Sequence, residues 1–437
     1  MSVENASAGQ AGGSLADSAQ KLGKPIVVQK YGGSSVATVE LMRNVARRVV
    51  AKHNQGNAVV VVVSAMGGAT DALIRLSREI TTTPERREMD MLLHSGEIKS
   101  AALLAMAVTE AGVSAVAFTG QQAGMRTDES HTQARIRKVD GARILVELAR
   151  GKIVVVAGFQ GVSENLEVTT LGRGGSDTSA VAIAVGMRAC ACEILTDVDG
   201  VYTSDPRIVA KPRKLEWCSY DEMLELAILG AKVLHSRSVE IARRFDVPLL
   251  VATSMRETPG TVICSTDRAK EDLGLMEEVA IRGVTHRKDL VKISLVGVPD
   301  EPGIAAKIFK AIQQHGLSLH LIVQSEHSGG RNDIAFLVPG DMIDGFREHL
   351  GELEGLVGAE ESVVDEDVAT VSIVGEGVQR EPGIAARMFT ALANERINLD
   401  LISTSNLMLT CVIPERSADE AVRALHREFF EDGTAEK

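Results

Sequence analysis

Two glycine-rich segments hold the residues best suited to chemistry in this chain. The first is Lys30-Tyr31-Gly32-Gly33-Ser34-Ser35. A β-rich run delivers a lysine, and the glycines behind it let the backbone approach a ligand closely. Consecutive backbone N–H groups ahead of a helix make an anion site. The Gly-x4-Gly-Lys-Ser/Thr spacing of a P-loop is missing, and Gly-Gly after a strand is equally an ordinary tight turn. The second segment is Gly172-Arg173-Gly174-Gly175-Ser176-Asp177. Its arginine suits bidentate recognition of a carboxylate or phosphate. Asp177 cannot bind an anion. It could hold Mg²⁺, orient Lys30, or cap the helix that follows.

These segments need a rigid frame, and the hydrophobic pattern supplies one. Ile26 to Tyr31 and the valine run Ala58 to Val63 read as strands, and continuous apolar runs of this kind belong to parallel sheets covered on both faces. Val113 to Thr119, Ile153 to Gly158, Glu193 to Asp197 and Pro248 to Ala252 read as further strands. Helices are expected over 39–52, 89–111, 142–149, 179–186, 220–229 and 236–245. Such alternation implies an α/β fold with an open, mostly parallel sheet between helical layers.

The C-terminal part repeats itself. Ile293-Ser294-Leu295-Val296-Gly297 precedes Glu301-Pro302-Gly303-Ile304-Ala305-Ala306, and Val371-Ser372-Ile373-Val374-Gly375 precedes Glu381-Pro382-Gly383-Ile384-Ala385-Ala386. Phe309 and Phe389 match, as do the Leu319 and Leu399 regions. Each unit reads as a ferredoxin-like βαββαβ module.

The bulk numbers fit this frame. At 437 residues the chain is long enough for two to four domains of roughly 100–200 residues each. Aromatics make up 3%, so aliphatic side chains must build the core. A net charge of −12 without a dense basic block argues against nucleic acid. The five cysteines (Cys190, Cys192, Cys218, Cys264, Cys411) lack zinc spacing and read as reduced thiols. No apolar run reaches the ~18 residues that would cross a membrane. Residues 1–24 read as a disordered tail, and Met276 as a weak internal start.

In order along the chain, the motifs resemble the amino-acid kinase family, and within it aspartate kinase. The resemblance rests on Gln29 to Val36, Val63 to Gly67, Ser95-Gly96-Glu97, Thr170 to Asp177 and Thr196 to Arg207. The duplicated modules resemble ACT domains. The resemblance implies a carbamate-kinase-like three-layer αβα sandwich over 25–264, then two ferredoxin-like ACT domains over 265–350 and 365–437. It implies a cytoplasmic enzyme using ATP and Mg²⁺ to phosphorylate the β-carboxylate of L-aspartate, the first step toward lysine, threonine, methionine and isoleucine.

By the same resemblance, Lys30 stabilises the transferring phosphoryl group, with Tyr31, Gly32 and Gly33 beside it, the two glycines supplying backbone donors. Arg173 clamps the substrate α-carboxylate and Glu97 takes its ammonium group. Ser64, Thr70, Gly174, Gly175 and Ser176 complete the substrate site, and Asp177 organises Lys30. Thr196, Asp197, Tyr202, Asp205, Pro206, Arg207 and Lys232 match ATP-binding positions. An ionised substrate carboxylate needs no general base, so His94 and His235 need no catalytic role. No side-chain metal site is implied.

An amino-acid effector, lysine and/or threonine, would bind the ACT modules through Asp300, Gly303, Ile304, Ala305, Gln324 and Asn398, the last two on strands. The modules would also pair chains into a homo-oligomer or heterotetramer. The sequence departs from the family pattern at Ile98, Ser236 and Asn406-Leu407-Met408. The competing readings are another kinase of the same fold and a catalytically weak regulatory subunit.

Overall fold

The computed structural model describes residues 22–274, 280–315, 319–326 and 329–431. Most of the expected N-terminal tail, and Met276, lie outside the described residues. Two compact units emerge: one built from the chain up to Val201 with Leu215–Leu224 and Lys232–Leu275, the other from Tyr202–Lys214, Glu225–Ala231 and the chain from Met276.

The first unit contains strands β1 (Ile26–Tyr31), β2 (Ala58–Val63), β3 (Ala115–Phe118), β4 (Met125–Thr127), β5 (Ile136–Val139), β6 (Ile153–Ala157), β7 (Gln160–Val162), β8 (Val168–Thr170), β9 (Ala191–Thr196), β10 (Trp217–Ser219), β11 (Leu249–Thr253) and β12 (Thr261–Cys264). Its helices include α1 (Val39–Asn54), α2 (Ala69–Ile80), α3 (Arg86–Glu110), α4 (Ala142–Ala149), α5 (Gly175–Met187), α6 (Tyr220–Ile228, whose last turn joins the other unit) and α7 (Ser236–Phe245).

Eight strands form the main sheet, in the order β10-β12-β11-β9-β1-β2-β6-β3. All neighbours are parallel except β11 and β12. Strand order reverses beside β1, which has β2 on one side and β9 on the other. In open α/β sheets, ligands bind outside the carboxyl ends of the strands at such a reversal. Lys30 and Ser64 stand at those ends of β1 and β2.

Alternation along β1 separates the two layers. Tyr31 is fully buried on the face that carries Val59, Val61 and Val63, against Met42, Val45 and Val49 of α1 and Leu104 and Val108 of α3. Lys30 therefore faces the other layer, where α5 lies. The spacing of Met42, Val45 and Val49 gives α1 one apolar stripe. Thr38 starts that helix, its hydroxyl accepting from the Leu41 N–H at 3.2 Å.

A second, four-stranded sheet, β5-β4-β7-β8, was not foreseen. Three of its strands have only three residues, too few to show an alternating pattern. Helix α3 is long and apolar enough to cross a membrane by length and composition. It packs against β6, and its buried Asp90 and Glu97 point into the protein.

The second unit holds one six-stranded antiparallel sheet, β14-β15-β13-β16-β18-β17. These are β13 (Gly283–Pro299), β14 (Ile322–Glu326), β15 (Arg331–Pro339), β16 (Glu361–Val374), β17 (Leu401–Thr404) and β18 (Met408–Pro414). The duplicated modules share their strands. Gly283–Arg287 of β13 pairs with Thr370–Val374, whereas Lys292–Val296 pairs with Glu361–Asp365. Ile281 and Val284 accordingly join the core of the second module with Val371, Met388 and Leu425. Val364 joins that of the first, with Ile293 and Ile308. A boundary drawn at consecutive blocks thus cuts through paired strands.

Candidate active site

A cleft of about 330 Å³ lies in the first unit. It is lined by Lys30, Gly33, Ser64, Thr70, Glu97, Arg173, Gly174, Gly175, Ser176 and Asp177, together with Phe159 and Asp71. Five separate stretches of sequence meet here, among them the glycine-rich turns at Gly33, Gly67-Gly68 and Gly172–Gly175.

Helix α5 begins at Gly175, four residues earlier than the sequence pattern suggested, so Ser176 and Asp177 sit in its first turn. The N–H groups of a first helical turn lack intrahelical partners and attract anions. Asp177 projects from this turn to Lys30, with Oδ1 at 2.6 Å from Nζ and both side chains almost buried. The pairing places the Asp177 carboxylate directly against the Lys30 ammonium. It fixes a cation in the wall of the cleft.

Glu97 approaches from α3. Its Oε1 accepts the Ala65 N–H at 3.1 Å, while its buried Oε2 has no partner. Burial pushes its pKa up to about 7, offset only in part by the backbone hydrogen bond. An orphaned buried carboxylate oxygen facing a cleft has room for an incoming cation. Gly96 permits the approach, since a Cβ there would stand 3.0 Å from Ala65 Cβ.

Two other glycines are sterically required. A Cβ on Gly33 would come within 2.8 Å of Ala65 O. Gly174, at φ +66°, would drive a Cβ to 2.2 Å from the His235 ring. His235 caps α7, accepting the Arg237 N–H at 3.3 Å, and burial lowers its pKa. Its ring thus packs against the arginine loop at Gly174. Phe159 was missed by the sequence reading. It lines the cleft at φ +67°, an unusual conformation for an aromatic residue. Its N–H donates to Ser179 Oγ at 3.0 Å, and its carbonyl accepts the Leu171 N–H at 2.9 Å. The Gly158-Phe159-Gln160-Gly161 turn after a valine strand was the available signal.

Some expected residues sit elsewhere. The Tyr31 side chain is buried in the core and cannot reach a ligand; its hydroxyl bonds Gln29 Oε1 at 3.3 Å. The Gly32 N–H is turned toward Leu195 O, at 3.4 Å, so it is not a free donor. Thr196, Asp197 and Lys232 do not line the cleft. Thr196 ends β9 and its hydroxyl donates to Oδ1 of Asp197, the next residue, at 3.0 Å.

Tyr202, Asp205, Pro206 and Arg207 belong to the second unit. Asp205 accepts both the Arg207 N–H at 2.9 Å and its guanidinium at 2.6 Å, which holds the Asp205 carboxyl below the usual range. Thr203, between them, is bonded to His426 Nε2 at 3.0 Å, and Arg213 reaches the Phe430 carbonyl. The Tyr202–Lys214 segment is thereby clasped by the C-terminal helix.

The proposed effector residues divide between two places. Gly303, at φ +98°, starts the helix Ile304–Gln314 beside Asp300, which accepts from Asn332 at 3.0 Å. Ala305 is exposed and Ile304 buried. Gln324 lies on β14, at one edge of the sheet. Asn398 precedes β17, at the opposite edge, and is not on a strand as expected.

All five cysteines are free thiols, four of them buried. No group of three or more metal-ligating side chains occurs among the described residues. Asp177 is committed to Lys30.

A cation–carboxylate cleft at the carboxyl ends of a parallel sheet in one unit, and paired ferredoxin-like modules in the other, define a small-acid kinase with appended regulatory modules. The amino acid kinase family model matches residues 25–253, and ACT domain models match residues 293–358 and 371–429. Aspartate kinase Ask_LysC of Stutzerimonas stutzeri is 45% identical over 94% of this chain and 98% of its own length. The aspartokinase of Corynebacterium glutamicum is 47% identical over 92% and 96%. Escherichia coli aspartokinase III, solved with aspartate and ADP, superposes with a TM-score of 0.79 at 26% identity, covering 93% of this chain and all of that one. The chain belongs to the aspartate kinase family.

Proposed function

We propose that the protein transfers the γ-phosphate of ATP to the β-carboxylate of L-aspartate, giving 4-phospho-L-aspartate and ADP. One observation carries the assignment: a single small cleft joins a fixed ammonium, a guanidinium and a buried carboxylate with an unused oxygen. An α-amino acid with a side-chain carboxylate supplies the three complementary charges. Glu97 takes the substrate ammonium and Arg173 the α-carboxylate. Ser64, Thr70 and Ser176 add hydrogen bonds, and Gly174 and Gly175 give backbone room. The β-carboxylate then faces Lys30.

Phosphoryl transfer is mainly positioning and charge stabilisation. Lys30, held by Asp177, stands ready to neutralise charge on the transferring group, with Gly33 letting the backbone come close. A Mg²⁺ ion accompanying the nucleotide would supply further neutralisation of phosphate charge. Thr196, Asp197, Lys232 and the Tyr202–Arg207 stretch contact the nucleotide. The attacking oxygen is already ionised, so no base is assigned. The test is ADP release with aspartate, glutamate, acetylglutamate and uridylate in parallel. Aspartate alone should support turnover.

The ACT modules suit regulation by lysine and/or threonine at the Ile304–Gln314 helix N-terminus beside Asp300, with Gln324 of edge strand β14 as a further candidate contact. Asn398, at the far sheet edge, could share a pocket with Gln324 only across two copies of the chain. The exposed Ile322 and Ile402 on edge strands β14 and β17 favour pairing with a second chain in the cytoplasm. Rates measured with and without each amino acid, alongside the oligomeric mass, test both points.

A further inference from the structure

Asp90 is wholly buried, yet neither the sequence motifs nor the mechanism uses it. It sits on α3, seven residues before Glu97, so the two share a helix face about 10 Å apart along the axis. Three donors converge on its carboxylate. Thr170 Oγ1 donates at 2.5 Å, the Thr132 N–H at 3.0 Å, and His131 Nδ1 at 2.8 Å.

Those donors come from the segments beside the arginine loop. Thr170 ends β8, two residues before Gly172 and three before Arg173. Thr132 O lies 3.1 Å from where a Gly172 Cβ would stand. From the other side, Arg237 donates to Leu171 O at 2.9 Å and to Ala134 O at 2.7 Å. Asp90 therefore ties the helix that carries Glu97 to the root of the loop that carries Arg173. A clip that only had to fill space could be apolar at little cost. A buried carboxylate with three directed donors fixes direction as well as distance.

We infer that Asp90 is a positioning residue. Resting on the assignment of Glu97 and Arg173 to the two ends of aspartate, it sets the spacing between the ammonium site and the α-carboxylate site. Ligand geometry is unforgiving, and a shift of about 1 Å can cost about 100-fold in rate.

The test uses the full-length enzyme and four variants. Asp90→Asn keeps the shape and loses one acceptor. Thr170→Val and His131→Ala each remove one donor and leave the carboxylate in place. Glu97→Gln reports on the underlying assignment. Asp90→Asn should raise the KM for aspartate about ten-fold and leave the KM for ATP unchanged, since only one substrate loses its geometry. Thr170→Val and His131→Ala should move the aspartate KM in the same direction by less. They decide the matter if Asp90→Asn does not fold. A normal aspartate KM in folded Asp90 or Thr170 variants, with a raised one in Glu97→Gln, overturns the positioning role alone. Equal rises for both substrates reduce Asp90 to general stability and also overturn it. A normal aspartate KM in Glu97→Gln overturns the assignment and the inference together.

Discussion

Lys30 Nζ and Asp177 Oδ1 lie 2.6 Å apart, joining the end of the central strand to the first turn of α5. The pair holds a cation in a nearly buried place before any substrate arrives. Lys30→Ala should leave a folded protein and lower kcat about 100- to 1,000-fold, the usual cost of removing one transition-state donor. Asp177→Asn should lower kcat less, because the ammonium remains but loses its anchor. Steady-state kinetics at saturating substrates, with circular dichroism as a check on folding, measure both.

The role proposed for Glu97 links activity to pH. It must be ionised to pair with an ammonium, and its pKa in the ligand-free protein lies at about 7. As pH falls below this value, kcat/KM for aspartate should drop about ten-fold per unit. Glu97→Gln should flatten that limb.

The same carboxyl costs stability. Its folded pKa is raised, so the folded state holds its proton more tightly than the unfolded chain. Stability is then lost as pH rises from 4.5 toward 7 and stays low above it. The shift corresponds to something on the order of 3 kcal/mol. Glu97→Gln should therefore raise Tm at pH 8 and leave it nearly unchanged at pH 4, as read by calorimetry without ligands.

Gly174 is pinned by its φ of +66° and by the His235 ring. Gly174→Ala should cost about 2–3 kcal/mol through strain and overlap, and remove most activity. Adding His235→Gly removes both the ring and the Cβ that stands 2.3 Å from the new methyl, and so relieves the overlap but not the strain; stability should recover in part. Denaturant titration of both variants measures this coupling.

In the second unit, His426 is buried and bonded to Thr203 within the stretch assigned to ATP. His426→Ala and Thr203→Val should each raise the KM for ATP about five- to ten-fold, the worth of one hydrogen bond, and leave the KM for aspartate unchanged. Separate titrations of the two substrates decide it.

Much of the frame was legible because the pattern was strong. Ala58–Val63, Ala142–Ala149 and Ser236–Phe245 fall where the apolar runs and stripes put them. The cleft residues were legible as motifs, each glycine turn following a strand or opening a helix. Their geometry was not. Nothing local in sequence pairs Asp177 with Lys30, buries Tyr31 away from the ligand, or leaves Glu97 Oε2 without a partner. The shared strands of the ACT modules escaped for the same reason, since Gly283–Arg287 finds Thr370–Val374 only through long-range pairing. Asp90 looked like one more acidic residue on a helix until the fold brought three donors to it.

The central claim is phosphoryl transfer to the aspartate side chain, and trapping the product tests it most directly. The protein is incubated with ATP, Mg²⁺, hydroxylamine and either aspartate or glutamate, and the hydroxamate is measured. Aspartyl hydroxamate should form with the wild-type chain, be nearly absent with Lys30→Ala, and have no counterpart from glutamate. Absence of hydroxamate from aspartate with the folded wild-type chain would contradict the account.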